Sequence, residues 1–325
     1  MKVAVTGATG HLGAAIVRGL IAQGRAVRVL VRNDRRAVDG LDVEEISGDV
    51  TELDSLMKLF QGVETVYHAA AAISLVGSEN GMVESINIGG TRNVIQACRK
   101  SGVKRLIYFS SIHAFRDCPN GVIDETCELA TGEDAFPYDR SKAISQKEVM
   151  EAADADFRTI VINPTGIIGP YDYKISRMGR TLIDIYSNRL PLLIDGGYNW
   201  VDSRDVASCA FAAEERGRSG HCYLACGHWV HICEVASIIS ELYGKKTART
   251  AAPLWLCTLP SYLSLAAAKV SRTSPRFTPY TIRTLKTHQR VCHEKATREL
   301  GYQPRPIRET IRDAIDWFKA QGIIS

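Results

Sequence analysis

Several features are missing from this 325-residue chain, and each absence removes a class of function. No apolar run approaches the roughly 20 residues that a transmembrane helix needs. The strongest candidate, LWLCTLPSYLSLAAAKV at 254–270, is too short and is interrupted by Pro260 and Lys269. It reads as a partly buried helical segment, with an interfacial helix as the alternative. No Cys-x-x-Cys pair occurs among the nine cysteines (Cys98, Cys118, Cys127, Cys209, Cys222, Cys226, Cys233, Cys257 and Cys292). An odd number scattered through a long chain suggests the reduced thiols of a cytoplasmic protein, not a disulfide framework. His221, His228 and His231 lie near Cys222 and Cys226, but their spacing fits no zinc signature, so no metal is expected. Basic runs with interleaved aromatics are absent and the formal charge is only +4, which argues against nucleic acid. There is no low-complexity tract. No secretory leader is read either, because the apolar N-terminus runs straight into a glycine-rich turn.

What is present is an ordinary globular composition, 45% hydrophobic and 23% charged, in a chain long enough for one large domain or two. KVAVT (2–6), AVRVLVR (26–32), VEEISGDV (43–50), TVYHAAA (65–71), RLIYFSS (105–111) and RTIVINPTG (158–166) read as strands. Between them lie stretches of helical spacing, among them LDSLMKLFQG and NIGGTRNVIQACRKSG (87–102). Strands alternating with helices of this length give right-handed crossovers and a doubly wound parallel sheet, an α/β fold. Past residue 170 the rhythm changes: a helix near 176–189, a short strand at 192–194, then strand and helix in NWVDSRDVASCAFAAEE. Prolines multiply after 245. The chain closes on a helix with Ile311, Ile315 and Phe318 on one face. The expected division is a dinucleotide-binding domain over 1–170 and a smaller, mostly helical substrate lobe over 171–325, with some return of chain to the first domain near 190–215.

VTGATGHLG places Gly7, Gly10 and Gly13 between the first strand and a helix, with Thr9, His11 and Leu12 among them. Glycines permit a tight turn and close approach of backbone to phosphate, and the helix N-terminus offers unpaired N–H groups to a pyrophosphate. The spacing is G-x-x-G-x-x-G. An acidic residue ending the second strand would bind the ribose hydroxyls of NAD. That strand instead ends in Arg32, followed by Arg35 and Arg36, and guanidinium groups suit a 2′-phosphate. Asp34 dissents. NADP(H) is favoured, with NAD(H) the alternative. Asp49, with Val50 beside it, ends the third strand, where a carboxylate accepts from an adenine amino group. Ala69, Ala70 and Ala71 end the fourth, where small side chains leave room for a ribose.

YDRSK sets Tyr138 and Lys142 one helical turn apart, a pattern that is weak alone. With TGATGHLG, GDV, HAAA, NIGGTRNV, YFSS and NPTGIIGP in this order, the chain resembles the extended short-chain dehydrogenase/reductase family over 1–170. WVDSRDVA and ELGYQPRPIRETIRDAIDWF extend the likeness towards dihydroflavonol-reductase-like proteins, 3β-hydroxysteroid dehydrogenases and hopanoid-associated sugar epimerases. The resemblance implies a Rossmann domain in which Tyr138 is the general acid/base, Lys142 its partner and Ser111 the hydroxyl that binds the substrate oxygen. A free tyrosine has a pKa of about 10, so work near neutrality calls for a nearby positive charge. The resemblance also implies that Pro164 and Ile167 border the nicotinamide amide and that Asn87 is structural. Asp205 reads as a helix N-cap. His113, Tyr171 and Tyr198 are candidates for the substrate pocket, with Tyr173, Trp200, Trp255 and Tyr262 as a further aromatic lining.

Three functions fit. The first is reduction of a carbonyl, or oxidation of the matching alcohol, with exchangeable NADP(H). The second is a nucleotide-sugar epimerase or dehydratase retaining NAD, and the third a non-catalytic NADP(H) sensor. The Ser111–Tyr138–Lys142 set weighs against a sensor. Nucleotide-sugar enzymes of the family commonly carry an arginine where Tyr198 stands, although Arg177, Arg180 and Arg204 are nearby in sequence. The reductase is favoured, acting on a small and partly hydrophobic substrate, and a homodimer is the default expectation.

Overall fold

The computed structural model describes residues 2–118, 121–190, 192–248, 250–256, 261–262, 278–286 and 289–325. Strands β1 (Lys2–Thr6), β2 (Ala26–Val31), β3 (Val43–Ser47), β4 (Thr65–His68), β5 (Arg105–Phe109) and β6 (Arg158–Pro164) are joined by α1 (His11–Ala22), α2 (Leu53–Phe60), α3 (Gly90–Lys100) and α4 (Pro137–Glu151). Short strands β7 (Gly166–Ile168), β8 (Leu193–Ile194) and β9 (Gly197–Asp202) follow, then β10 (His221–Ala225), β11 (His228–His231) and β12 (Ala251–Ala252). The later helices are α5 (Arg177–Tyr186), α6 (Ser203–Arg216), α7 (Ile232–Tyr243), α8 (Pro279–Lys286), α9 (Glu294–Leu300) and α10 (Ile307–Ala320).

Seven strands make one sheet in the order β10-β6-β5-β4-β1-β2-β3, and every pairing is parallel. Such strands are covered on both faces, which is why β1 and β2 read as nearly unbroken apolar runs. One core holds Val3, Val5, Ile16, Leu20 and Val29; the other holds Ala4, Leu56, Phe60, Val66 and Leu106 on the opposite face. The order reverses between β1 and β4, and that switch point is where an open α/β sheet binds its ligand. The seventh strand comes from 221–225, beyond the 190–215 stretch where return of the chain is expected, and α6 packs on α1.

The lobe has its own core of Leu182, Trp200, Ile239, Ile311, Ile315 and Phe318. Trp200 is thereby core and not pocket lining: it is 1% exposed, and its indole N–H donates to the Val230 carbonyl. Of 254–270, residues 257–260 and 263–270 lie outside the described residues; Trp255 and Tyr262 within it are exposed. Among the described residues, no helix is long and apolar enough to cross a membrane.

Two expectations are corrected. The N-cap of α6 is Asp202, which accepts from the Arg204 backbone N–H; Asp205 lies in the first turn and accepts from Arg305 Nε and backbone N, both at 2.8 Å. Both aspartates stand at the start of the helix, but Asp202 has extended backbone before the first turn and Asp205 lies within it, and Arg305 pairs with both. The thiols are not all free: Cys118 and Cys127 form a disulfide. Arg116 N–H donates to the Glu128 carbonyl and Phe115 bridges Leu129, folding the loop so that the two cysteines meet without a sequence signature. His228 and His231 turn instead to the Arg305 carbonyl and Asp195.

Candidate active site

β1 delivers the chain into Gly7, whose φ of 71° lies in the left-handed region that side chains resist. A Cβ there would lie 2.5 Å from the backbone nitrogen of Ala70, and at Gly13 one would meet the Gly7 carbonyl oxygen at 2.0 Å. Gly7 is thus packed against the end of β4 at Ala69 and Ala70, and Gly10 and Gly13 fold back on Gly7, with Thr9, His11 and Leu12 between them. Helix α1 starts at His11 without a side-chain cap, leaving its first N–H groups to face an anion. Gly13→Ala is expected to push α1 off the loop, costing about 1–3 kcal/mol of stability and weakening dinucleotide binding. Thermal melting together with a nucleotide titration checks both effects, and an unchanged affinity would remove the loop from the site.

The arginines after β2 are already engaged. Arg32 Nη1 donates to Asp49 Oδ2 at 3.1 Å, Arg35 pairs with Glu45, and Arg36 makes a forked contact with Asp34 at 3.0 and 2.9 Å. The Arg36 contact holds the Asp34 carboxyl at about 2. Asp34, the dissenting acid of the sequence, therefore spends its charge on a neighbouring guanidinium. Asp49 also accepts from the Thr51 backbone N–H and hydroxyl. Val50 is buried against Gly90 at the start of α3.

The end of β5 and the first turn of α4 carry the remaining pieces. Pro137 opens α4 with a φ suited to its first position, which puts Tyr138 at the mouth of the helix and Lys142 one turn further in. Ser111 Oγ accepts from the His113 backbone N–H at 3.2 Å, and its hydroxyl lies near enough to the Tyr138 phenol to lower the pKa of that group. Ser111 is fixed from behind: Asn163 Nδ2 donates to its carbonyl at 2.9 Å and to Gln146 Oε1 at 2.6 Å. Ser110 turns the other way, towards the Lys142 carbonyl. Lys142 is 1% exposed; Nζ donates to the Phe109 carbonyl at 2.7 Å and lies 4.4 Å from the centre of the Tyr108 ring. Burial pulls its ammonium down to about 7. Burial also pushes the Tyr138 phenol up to about 12, opposed by the Ser111 hydroxyl and assisted by the charge of Asp139. Asn87, in a π-helical turn (Ser85–Gly89), holds Ala72 through both backbone groups and donates to Ser141 Oγ at 2.9 Å. It ties the chain after β4 to α4 and acts as structure.

The chain that carries this glycine loop and Ser–Tyr–Lys set is similar along its length to known proteins. The model of the NAD dependent epimerase/dehydratase family matches residues 3–226. The chain belongs to that family. Sterol demethylase protein B of Methylococcus capsulatus is 34% identical over 328 residues, covering 100% of both chains. A putative dihydroflavonol 4-reductase of Synechocystis is 28% identical, covering 98% of this chain and 95% of its own. Among solved structures, gox2253 superposes with a TM-score of 0.85 at 31% identity, covering 99% of each chain. An enzyme of the extended short-chain dehydrogenase/reductase type follows from this membership.

Within this epimerase/dehydratase fold, α8 brings Tyr280, which the sequence did not single out, up to His113, a pocket candidate that it did. The His113 ring meets that of Tyr138 edge-on at 6.2 Å. Tyr280 on α8 donates to Asp139, comes within 3.4 Å of His113 Nδ1 and stacks on Phe136 at 4.0 Å. These side chains line a cavity of about 260 Å³. Thr284, one turn along α8, donates to the Thr281 carbonyl and lies near Tyr198, whose phenol burial pushes up to about 12. Arg177 lies close enough to Tyr198 and Glu79 to feel their charges. Tyr171 does not join them. It sits under the Arg18 guanidinium at 4.7 Å, on the cofactor side, and Tyr173 bonds the same arginine. Pro164 is buried at the end of β6, and Ile167 packs beside it in β7.

Proposed function

We propose that the protein is an NADP(H)-dependent oxidoreductase that reduces a carbonyl, or oxidises the matching alcohol, of a small and partly hydrophobic substrate. The observation that carries this reading is a buried Tyr138, close to Ser111 and one turn from the buried Lys142, at the C-terminal ends of the strands. A phenol near 12 holds its proton at neutral pH and is therefore set to donate it. Bound NADPH would supply the hydride. As the carbonyl carbon takes that hydride, its oxygen takes the Tyr138 proton while Ser111 donates a hydrogen bond to the same oxygen. The phenolate left behind is stabilised by the Lys142 ammonium. Asp49 and Ala69–Ala71 border the adenosine half in this reading, and Pro164 and Ile167 the nicotinamide half.

The substrate class rests on the walls of the cleft. Ile73, Val76 and Met82 stand exposed in the segment after β4, whose Glu79 faces Arg177. Phe136 and Tyr280 add a stacked aromatic pair. The names of the relatives, a sterol demethylase protein and a dihydroflavonol reductase, fit a ringed, apolar alcohol or ketone. A cytoplasmic homodimer is part of the same proposal. One observation favours the second reading: Arg177 beside Tyr198 supplies a cation where a nucleotide-sugar diphosphate would lie.

Quenching of reduced-nicotinamide fluorescence separates the two. NADPH is expected to bind at least about tenfold tighter than NADH, and the purified protein to release no cofactor on denaturation. Stoichiometric NAD released from the denatured protein would overturn the reductase in favour of an epimerase or dehydratase.

A further inference from the structure

Residues 170–176, between β7 and α5, cross from the C-terminal lobe back over the glycine loop. The strap is tied down along its length. His11 Nε2 lies 3.0 Å from the Pro170 carbonyl oxygen, and Arg18 Nη2 donates to the Tyr173 hydroxyl at 2.9 Å. Buried Asp172 accepts from the Ser176 backbone N–H at 2.8 Å and from its hydroxyl at 2.6 Å. Two non-glycine residues take left-handed backbone here, Tyr171 at φ 74° and β-branched Ile175 at φ 51°. Such strain persists only where the surroundings over-determine the conformation, and it gathers at ligand clamps.

What the strap presents is Lys174. Its Nζ donates to Thr9 Oγ1, inside the glycine loop, at 3.1 Å. Partial desolvation lowers its pKa; Asp34 raises it and Arg32 and Arg36 lower it, so all three charges act on this exposed ammonium. Three cations, Arg32, Arg36 and Lys174, face two carboxylates, Asp34 and Asp49, beside the end of β2. The excess positive charge lies where the glycine loop and the second strand converge, the position of an adenosine ribose in a doubly wound dinucleotide site.

We propose that Lys174 is a phosphate ligand, carried by the strap from the lobe, which completes with Arg32 and Arg36 the subsite for the 2′-phosphate of NADP(H). The inference rests on the NADP(H) reading and adds to it a contact from the other lobe. Phosphate would compete with Asp34 and Asp49 for the guanidinium groups, whereas among the described residues the ammonium of Lys174 hydrogen-bonds the neutral hydroxyl of Thr9 and feels Asp34 without a direct bond to it. Cofactor choice and placement of the lobe are thereby coupled.

The test compares wild type with Lys174→Gln and Lys174→Arg. It measures dissociation constants for NADPH and NADH by fluorescence quenching, and for 2′,5′-ADP and ADP by competition. Lys174 is exposed, so thermal melting is expected to be unchanged. Lys174→Gln is expected to weaken NADPH and 2′,5′-ADP about tenfold while NADH and ADP stay within about twofold; Lys174→Arg keeps most of the affinity. Arg32→Gln is expected to show the same selective loss. Equal weakening of all four probes, or of none, in Lys174→Gln would overturn the assignment. If wild type binds 2′,5′-ADP no better than ADP, the NADP(H) reading falls whatever the variant does, and this proposal falls with it.

Discussion

Tyr138→Phe is expected to lower kcat by about 10²–10⁴-fold for any carbonyl the wild type reduces, with the NADPH dissociation constant changed by less than about threefold. The substitution removes one oxygen and little else, because the ring is buried, 7% exposed, and Phe fills the same space. What is lost is the proton donor. Hydride transfer to a carbonyl leaves an alkoxide, and in a site closed to water that charge must be quenched as it forms. Ser111 can donate a hydrogen bond to the alkoxide, but a serine hydroxyl is too weak an acid to give up its proton near neutrality. Steady-state rates and nucleotide quenching on the same preparation read the two effects separately. A variant that keeps more than a tenth of wild-type kcat would show that the proton comes from elsewhere. The His113–Asp139–Tyr280 cluster would then be the group to examine, since it lies against the same ring.

The parts of this site that could be read in the chain are those that local spacing dictates. Gly7, Gly10 and Gly13 follow a strand, and the turn they make depends on neighbours within a few residues. Tyr138 and Lys142 share a helix face because of the helical repeat alone. Ser111 and Ser110 diverge because strands alternate. By contrast, Lys174 reaches Thr9 across 165 residues of chain, Tyr280 reaches Asp139 across 141, and Cys118 meets Cys127 through a loop whose shape is set by its flanks. None of these leaves a mark in periodicity. The arginines after β2 show a subtler limit. Their presence was legible, but not that Asp49, Glu45 and Asp34 would hold them. Tyr171, read as pocket lining, shows the same limit: its ring lies against Arg18, a residue of the nucleotide-binding half, which its position in the sequence did not announce.

Lys142 carries the second large effect, and there stability and activity are expected to move in opposite directions. Its ammonium is enclosed, 1% exposed, with one carbonyl and one ring face in place of water. Burial lowers it to about 7 from its usual 10.5. A lysine depressed in the fold opposes folding. Below about pH 7 both states hold the proton and the penalty is complete. Between about 7 and 10.5 the unfolded chain binds more protons than the folded one, so the penalty fades as pH rises. Lys142→Met keeps the length of the side chain and discards the charge. At pH 6 the variant is expected to be more stable than wild type by on the order of 2–3 kcal/mol, after allowing for the lost hydrogen bond to Phe109. The gap should narrow steadily towards pH 9, and thermal melting at matched pH values measures it. Activity is expected to fall by at least about a hundredfold, because no positive charge then remains beside the phenolate that Tyr138 leaves. A variant less stable than wild type at pH 6 would mean that the ammonium is held favourably, and the argument from burial would be wrong. A lysine that opposes the fold it sits in is accounted for by the reaction it serves, as buried titratable groups at catalytic sites commonly are.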